Sequence, residues 1–273
     1  MTSTRAPLHC VVIGPNEPPL AEVEGSMRAF GTTSTAYREL QLSFVRRDGI
    51  PVSYAELLTS SENEARRRRG HPPLVRPYHW GHLPNLAVAC LTSFLRRHGL
   101  RAEPINHFRH ERDRLDELLA ENPTTVAITT TFYTSSEPAK EVIHTIRDRR
   151  PDIPIVLGGP LVANLARRFT REMLPVVLED LGADIYIVEA QGEHTLTRLI
   201  KHLAEGRPLE EVPNLLLLRH GHAVATTPQT EDNDINEESI DWAGVLPPDG
   251  SPTVQLRTSR SCAFRCSFCS YPV

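Results

Sequence analysis

Val126-Ala127-Ile128-Thr129-Thr130-Thr131, running on into Phe132-Tyr133-Thr134-Ser135-Ser136, decides the fold of this 273-residue chain. A short apolar run bounded by turn-forming residues predicts a strand buried on both faces, ending in a hydroxyl-rich loop. Downstream, Pro138 stands where the first turn of a helix tolerates it, and Val142, Ile143 and Ile146 supply that helix's apolar side. Pro151 stops the helix, and Ile153 to Leu157 form the next strand, closed by Gly158-Gly159-Pro160. A further helical stretch is expected from Leu161 towards Leu174, and Ala183 to Val188 form the last core strand. Gln191-Gly192-Glu193 open a helix with Leu196, Leu199, Ile200 and Leu203 on one face, stopped by Gly206. Leu215 to Leu218 and Ala223 to Thr227 read as a small hairpin across Gly221.

Upstream the same alternation holds. Leu8 to Ile13 predict the first strand, ending at Gly14-Pro15-Asn16. A long insertion, residues 17–84, follows, with one helix expected from about Tyr54 to Arg69. Its four closing arginines suit a helix C-terminus, where cations meet the negative end of the dipole; a phosphate contact is the other reading. Asn85 as N-cap, apolar residues at Leu86, Cys90, Leu91, Phe94 and Leu95, and Gly99 at the end define a helix. A strand from Ala102 to Asn106 and a polar helix from Arg112 to Glu121 complete the series. Strands alternating with helices at this spacing predict an α/β fold with a doubly wound parallel sheet. In such sheets ligands bind beyond the carboxyl ends of the strands, where the strand order reverses. Three loops are expected to converge there: Gly14 to Glu17, Thr129 to Ser136, and Gly158 to Leu161. Their glycines admit close backbone approach, and their hydroxyls offer hydrogen bonds to polar ligand edges. Taken alone, Gly158-Gly159-Pro160 is equally what a plain strand-to-helix connection uses.

Composition sets bounds on function. The net charge is −4 and 40 % of residues are hydrophobic, which supports a packed core and asks for neither nucleic acid nor a membrane surface. Apolar runs are only strand-length, and the first seven residues are too polar for a signal peptide. Of the five cysteines, Cys10 and Cys90 read as core thiols. The expected compartment is the reducing cytoplasm. His79 and His82 flank Trp80 and are expected to pack in a loop or face solvent rather than hold a metal.

The remaining three cysteines carry chemistry. Cys262, Cys266 and Cys269 have the spacing C-x3-C-x2-C. Three thiolates can hold an iron–sulfur cluster with one iron open, and they are one too few for a closed zinc site. The other readings are ordinary loop cysteines, or a zinc site completed elsewhere. With Phe268 before the last cysteine and Val254-Gln255-Leu256-Arg257 as a lead-in strand, the run resembles the signature of the radical S-adenosylmethionine (SAM) superfamily. That resemblance implies a [4Fe–4S] cluster on the three cysteines, SAM at the open iron, and an electron donor such as flavodoxin or ferredoxin.

The rest of the chain resembles the cobalamin-binding domain that precedes some radical SAM barrels. Gly158-Gly159-Pro160 and Gly192-Glu193 resemble that family's Gly-Gly and Gly-Glu-x-Glu elements, although His194 follows Glu193 and the second glutamate is absent. The resemblance implies the α/β doubly wound (flavodoxin/Rossmann-like) parallel sheet of a cobalamin-binding domain, followed by the truncated start of a radical SAM barrel. The domains expected are residues 1–227 (with the insertion), an acidic linker over 228–253 that includes Asp241-Trp242, and the start of the barrel over 254–273. The linker is otherwise read as a flexible tether. The cobalamin contacts implied are Gly14, Pro15, Asn16, Thr131, Tyr133, Ser135, Gly158, Gly159, Pro160, Gly192 and Glu193. No Asp-x-His occurs, so the resemblance implies no histidine below the cobalt; that position is empty, water-filled or covered by a loop residue.

The function implied is SAM-dependent methylation of an unactivated carbon or a phosphinate phosphorus in a small-molecule or natural-product intermediate. Arg257 to Cys262 and Cys269 to Pro272 resemble the phosphinothricin-type P-methyltransferases in particular. A barrel needs on the order of 200 residues beyond the cluster loop, so the expectation is a fragment without catalysis of its own. A stand-alone corrinoid carrier and a Rossmann-like nucleotide-binding domain are the alternatives. Against the second, Gly14-Pro15-Asn16 lacks the G-x-G-x-x-G phosphate loop.

Overall fold

The computed structural model describes residues 6–18, 20–43, 45–75, 77–78, 83–133, 135–189, 191–219, 222–246 and 254–257. Strand β1 (Cys10–Ile13) is followed by residues 17–83, a compact unit of its own. That unit holds α1 (Leu20–Ala29), α2 (Thr35–Ser43), the antiparallel pair β2 (Val45–Arg47) and β3 (Ile50–Val52), and α3 (Tyr54–Arg68). Helix α3 starts in a capping box, with Ser53 and Glu56 each bonding the other's backbone N–H. It ends at Arg69, followed by Gly70 at φ +72°.

The main unit continues with α4 (Leu86–Arg97), β4 (Ala102–Ile105), α5 (Arg112–Ala120), β5 (Thr125–Thr129), α6 (Glu137–Arg149), β6 (Ile155–Gly158), α7 (Pro160–Arg168), α8 (Leu174–Leu181), β7 (Ile185–Ile187) and α9 (Glu193–Glu205). Strands β8 (Leu215–Arg219) and β9 (His222–Ala225) and the short helix α10 (Trp242–Val245) close it. The seven-stranded sheet runs β4-β1-β5-β6-β7-β8-β9. Strands β4, β1, β5, β6 and β7 are parallel; β8 and β9 are antiparallel. Counted in chain order, the parallel strands lie 2-1-3-4-5, so the order reverses between β1 and β5, and it is beyond the carboxyl ends at such a reversal that sheets of this kind bind ligands.

Alternation along the strands builds two cores. Val11, Ile13, Val126, Ile128, Ile155, Leu157 and Tyr186 face α5, α6, α7 and α8. Cys10, Val12, Ala127, Val156, Ile185 and Ile187 face α4 and α9. Both sheet faces are covered, which is why these strands read as unbroken apolar runs. Each fully buried Leu, Ile or Val contributes about 1.5–3 kcal/mol of transfer free energy, gross of the entropy lost on ordering it.

Two expected elements differ. The helix from Leu161 towards Leu174 stops at Arg168; a second helix, α8, starts at Leu174, with Pro175 in its first turn. Proline is tolerated there but would break a continuous helix. Nor is β7 the last core strand. Leu215, Leu216 and Leu217 are buried, and β8 pairs with β7, so the expected hairpin extends the main sheet. Gly221, His79, Trp80 and His82 lie outside the described residues.

Candidate functional site

The loop after β1 is pressed tightly into the fold. A Cβ at Gly14 would lie 2.5 Å from the Asn106 carbonyl oxygen and 2.9 Å from Val88 Cγ2, so only glycine fits. The Gly14 N–H donates to the Ile105 carbonyl (2.9 Å), and the Gly14 carbonyl accepts from the Tyr133 hydroxyl (3.2 Å). Burial pushes the Tyr133 phenol above its ordinary range, so it stays neutral and donates. The Pro15 carbonyl accepts from the Phe108 N–H (3.2 Å). Asn106 accepts from the Asn85 N–H, and Asn85 caps α4 by accepting from Val88 N–H (3.1 Å). A pair of asparagines thus ties the start of α4 to the end of β4.

Asn16 is buried, at 3 % exposure. Its Nδ2 donates to the Pro138 carbonyl and to Glu141 Oε2, each at 2.9 Å, and its Oδ1 accepts from Arg109 Nε at 2.9 Å. Glu141 also pairs with Arg109 and, at 2.7 Å, with Arg112. Asn16 therefore braces the loops after β1 and β4 against α6, and its side chain is spent inside the protein.

At the end of β5 each threonine has a separate task. Thr130, fully buried, donates from Oγ1 to the Gly158 carbonyl (2.8 Å) and accepts there from the Leu161 N–H (3.2 Å). It caps α7 from a neighbouring strand, because the helix's own N-cap is Gly159 and has no side chain. Gly159 sits at φ +104°, and a Cβ there would lie 2.9 Å from Thr130 Oγ1. Thr129 and Thr131 share a hydrogen bond between hydroxyls (2.9 Å). The Tyr133 N–H donates to the Thr130 carbonyl (3.1 Å), which closes a turn with Thr131 and Phe132 at its tip, both exposed. Ser135 and Pro160 are exposed nearby in the chain, and Gly158 is half-buried.

Gly192 and Glu193 lie at the start of α9, where a Cβ at Gly192 would meet Ile187 (3.3 Å), the residue a Cβ at Gly158 would also meet (3.5 Å). Gly192 is the left-handed N-cap, at φ +68°. Glu193 is buried and accepts from Asn233 Nδ2 (2.8 Å), while the Asn233 N–H donates to Gln191 Oε1 (3.0 Å). Glu231, also buried, accepts from the N–H groups of His194 (2.9 Å) and Thr195 (2.6 Å) and from the Thr195 hydroxyl. A carboxylate at a helix N-terminus meets both the unpaired N–H groups and the positive end of the dipole. Further along, Asp241 N–H donates to Ser93 Oγ (3.1 Å), Arg96 donates to the Gly244 carbonyl (2.8 Å), and Arg97 donates to the Glu237 and Ser239 carbonyls. Residues 229–245 are thus fastened along α9 and α4. Two cavities of about 190 and 140 Å3 lie along this segment, the first lined by His194, Arg198 and Glu231, the second by Cys90, Trp242 and Arg257.

The sites expected from sequence therefore divide. Gly14, Pro15, Asn16 and Tyr133 are bonded within the protein, Thr131, Ser135 and Pro160 are exposed, Gly192 caps α9, and Glu193 bonds Asn233 of the linker. Thr130 fell inside the expected Thr129 to Ser136 loop without being singled out, although it directly follows a five-residue buried strand; Glu141, Glu231 and Asn233 were missed. Cys262, Cys266 and Cys269 lie outside the described residues. Among the described residues no group of three or more His, Cys, Asp or Glu side chains is placed to hold a metal ion, and no helix is long and apolar enough to cross a membrane.

Part of this geometry is similar to known proteins. Residues 81–200 match the model of the B12 binding domain, and this segment runs from the start of α4 into α9. Over 160 residues, 55 % of this chain, the sequence is 28 % identical to an uncharacterised methyltransferase of Pyrococcus horikoshii, and it spans 32 % of that relative's length. Two solved structures of TsrM, a radical S-adenosylmethionine methyltransferase of Kitasatospora setae, are also similar. One, with tryptophan substrate and a SAM analogue, is 23 % identical over 53 % of this chain and 27 % of its own, with a TM-score of 0.41. The other, with cobalamin and a [4Fe–4S] cluster, is 22 % identical over 58 % of this chain and 28 % of its own, with a TM-score of 0.42.

Proposed function

We propose that the main unit binds cobalamin over the carboxyl ends of β1 and β5, as part of a SAM-dependent methyltransferase. The observation that carries this reading is the B12 binding domain match, which takes in β4, β5, β6 and β7 of the parallel sheet whose strand order reverses at β1. The residues at this edge suit the ligand. A corrin is broad and flat, with an apolar macrocycle and an amide-bearing rim. The edge offers it exposed hydroxyls at Thr131 and Ser135 and a backbone kept bare of side chains at Gly158-Gly159. Bound cobalamin supplies a cobalt that accepts a methyl group and passes it on.

The protein's own residues prepare this edge. Tyr133 holds the β1 loop down through the Gly14 carbonyl, and Thr130 fixes the Gly158-Gly159 turn. Glu141 neutralises Arg109 beside it, and the Asn16 amide oxygen helps to immobilise it. In the full reading, Cys262, Cys266 and Cys269 hold a [4Fe–4S] cluster that binds SAM, and a flavodoxin or ferredoxin supplies electrons. The substrate is a small-molecule or natural-product intermediate, methylated at an unactivated carbon or a phosphinate phosphorus. The cysteine spacing and the Arg257 to Cys262 run support that part.

Equilibrium dialysis of the chain against hydroxocobalamin, NAD+ and FMN in parallel tests the binding claim. Saturable uptake of hydroxocobalamin alone is expected. Uptake of a nucleotide without hydroxocobalamin would replace the reading with the nucleotide-binding alternative.

A further inference from the structure

We propose that the arginine-bearing apolar face of residues 45–69 docks on the acidic segment 231–256 of a second copy of this chain. Among its described residues, the unit 17–83 buries one hydrophobic side chain, Ala55, and leaves Val45, Ile50, Tyr54 and Leu58 between 42 % and 66 % exposed. Exposed apolar side chains scattered singly are ordinary, but a group of them on one small unit marks a surface that something covers. The β2–β3 pairing sets Val45 opposite Val52 and Arg47 opposite Ile50, so these four side chains share one face of the pair. Tyr54 and Leu58, four residues apart, share one side of α3. Arginines accompany them. The Arg68 hydrogen bond, and after it the charges of Arg47 and Arg67, hold the Glu64 carboxyl below its ordinary range, so these arginines of β2 and α3 lie near one another. Arg66 and Arg68 pair with Glu62 (3.8 Å) and Glu64 (2.6 Å) on their own helix. Arg47, Arg67 and Arg69 are exposed.

The complement lies on the main unit. From Pro228 to Thr253 the sequence holds seven acidic residues and no Lys, Arg or His. Glu231 is buried in the α9 cap, while Asp232, Asp234 and Glu237 are exposed. Arg97 bonds the backbone carbonyls of Glu237 and Ser239 and not the carboxylate. Apolar side chains stand among the acids: Ile235 is 42 % and Leu256 77 % exposed, and both line the cavity of about 140 Å3 beside Trp242. Arg257, at the same cavity, is turned towards Cys90 Sγ (3.9 Å). Apolar groups flanked by arginines on one surface, and by carboxylates on the other, fit each other and repel their own kind. Two such contacts, exchanged between two copies, close a dimer. The inference is independent of the cobalamin reading.

Sedimentation velocity of the full chain tests it, over a range of concentrations and at about 50 mM and about 500 mM salt. Wild type is expected to dimerise as concentration rises, with a dissociation constant about tenfold higher at the upper salt. R47E/R67E sets acids against acids and D232R/E237R sets bases against bases, so each alone is expected to stay monomeric. Mixed in equal amounts the two should form a heterodimer, because each then offers the surface that complements the other. All four positions are exposed, so both variants should melt with wild type. Wild type that stays monomeric at every concentration would overturn the proposal and give this face to a different partner. A dimer unchanged by salt and by both variants would place the interface elsewhere. A mixture that stays monomeric would refute the pairing of these two surfaces.

Discussion

Replacing Glu231 by alanine tests the fastening of the acidic linker. The carboxylate is 8 % exposed and accepts from two backbone N–H groups in the first turn of α9, from the Thr195 hydroxyl, and from Asn233 Nδ2 (3.1 Å). A hydrogen bond to a charged group contributes about 1.5–3 kcal/mol, and a buried donor left without a partner costs about 1–3 kcal/mol. The four bonds form one unit, so their losses do not add, and water will reach some of the stranded donors. We therefore expect E231A to lose about 2–4 kcal/mol, above the range of an ordinary N-cap deletion. For a domain of this size that corresponds to a fall of about 5–15 °C in melting temperature. E231Q keeps one acceptor oxygen but turns an NH2 towards the remaining donors, so it should fall between wild type and E231A. D232A, at the exposed next position, is the control and should melt with wild type. Differential scanning fluorimetry gives the magnitude; hydrogen exchange at the His194 and Thr195 amides gives the location and should accelerate in E231A. Melting of E231A within a degree of wild type, with unchanged exchange at those amides, would refute the clamp.

Other outcomes follow from the same geometry. G159A forces a side chain into φ +104° and against Thr130 Oγ1; urea unfolding should show a loss of about 1–3 kcal/mol, together with weaker hydroxocobalamin binding in dialysis. Burial raises the Glu111 carboxyl, outweighing the hydrogen bond from the His107 backbone. A raised folded-state pKa favours folding below the unfolded value and loses that advantage as pH rises through the folded one. The stability of E111Q relative to wild type should therefore climb from pH 4 upward and level off once Glu111 is ionised; a flat difference in urea midpoints would contradict this. Burial pushes the Cys10 thiol up to about 12, so iodoacetamide at pH 8 should leave Cys10 unlabelled, by peptide mass mapping, until denaturant is added.

The parts of this fold that show in the sequence are those dictated by local rules. Strands β1, β5 and β6 are buried on both faces and so appear as apolar runs. Helix α4 is bounded by Asn85, which caps it, and by Gly99 at φ +79°. What does not show depends on contacts distant in sequence. Nothing local distinguishes Glu231 from its acidic neighbours; it is set apart by an α9 N-terminus 37 residues away, at His194. The three threonines from 129 to 131 look alike in sequence, but strand alternation and the approach of Gly158 give Thr130 the structural role and leave Thr131 at the surface. Likewise Asn16 reads as a ligand contact by position, but Arg109 and Glu141, 93 and 125 residues away, claim its side chain. Within residues 17–83 only α3 was expected. Helices α1 and α2 and the β2–β3 pair carry weak apolar patterns, and Ala55 is the one buried hydrophobic residue in that unit among those described.

The central claim is that cobalamin sits over the ends of β1 and β5. A crystal structure of the chain grown with hydroxocobalamin, with the metal located by cobalt anomalous scattering, tests this most directly. The account predicts one cobalt peak beside the Thr131-Phe132 turn, with the corrin rim against Ser135 and the Gly158-Gly159 backbone. A peak along the 229–257 segment, or a lattice with protein but no cobalt at saturating ligand, would contradict it.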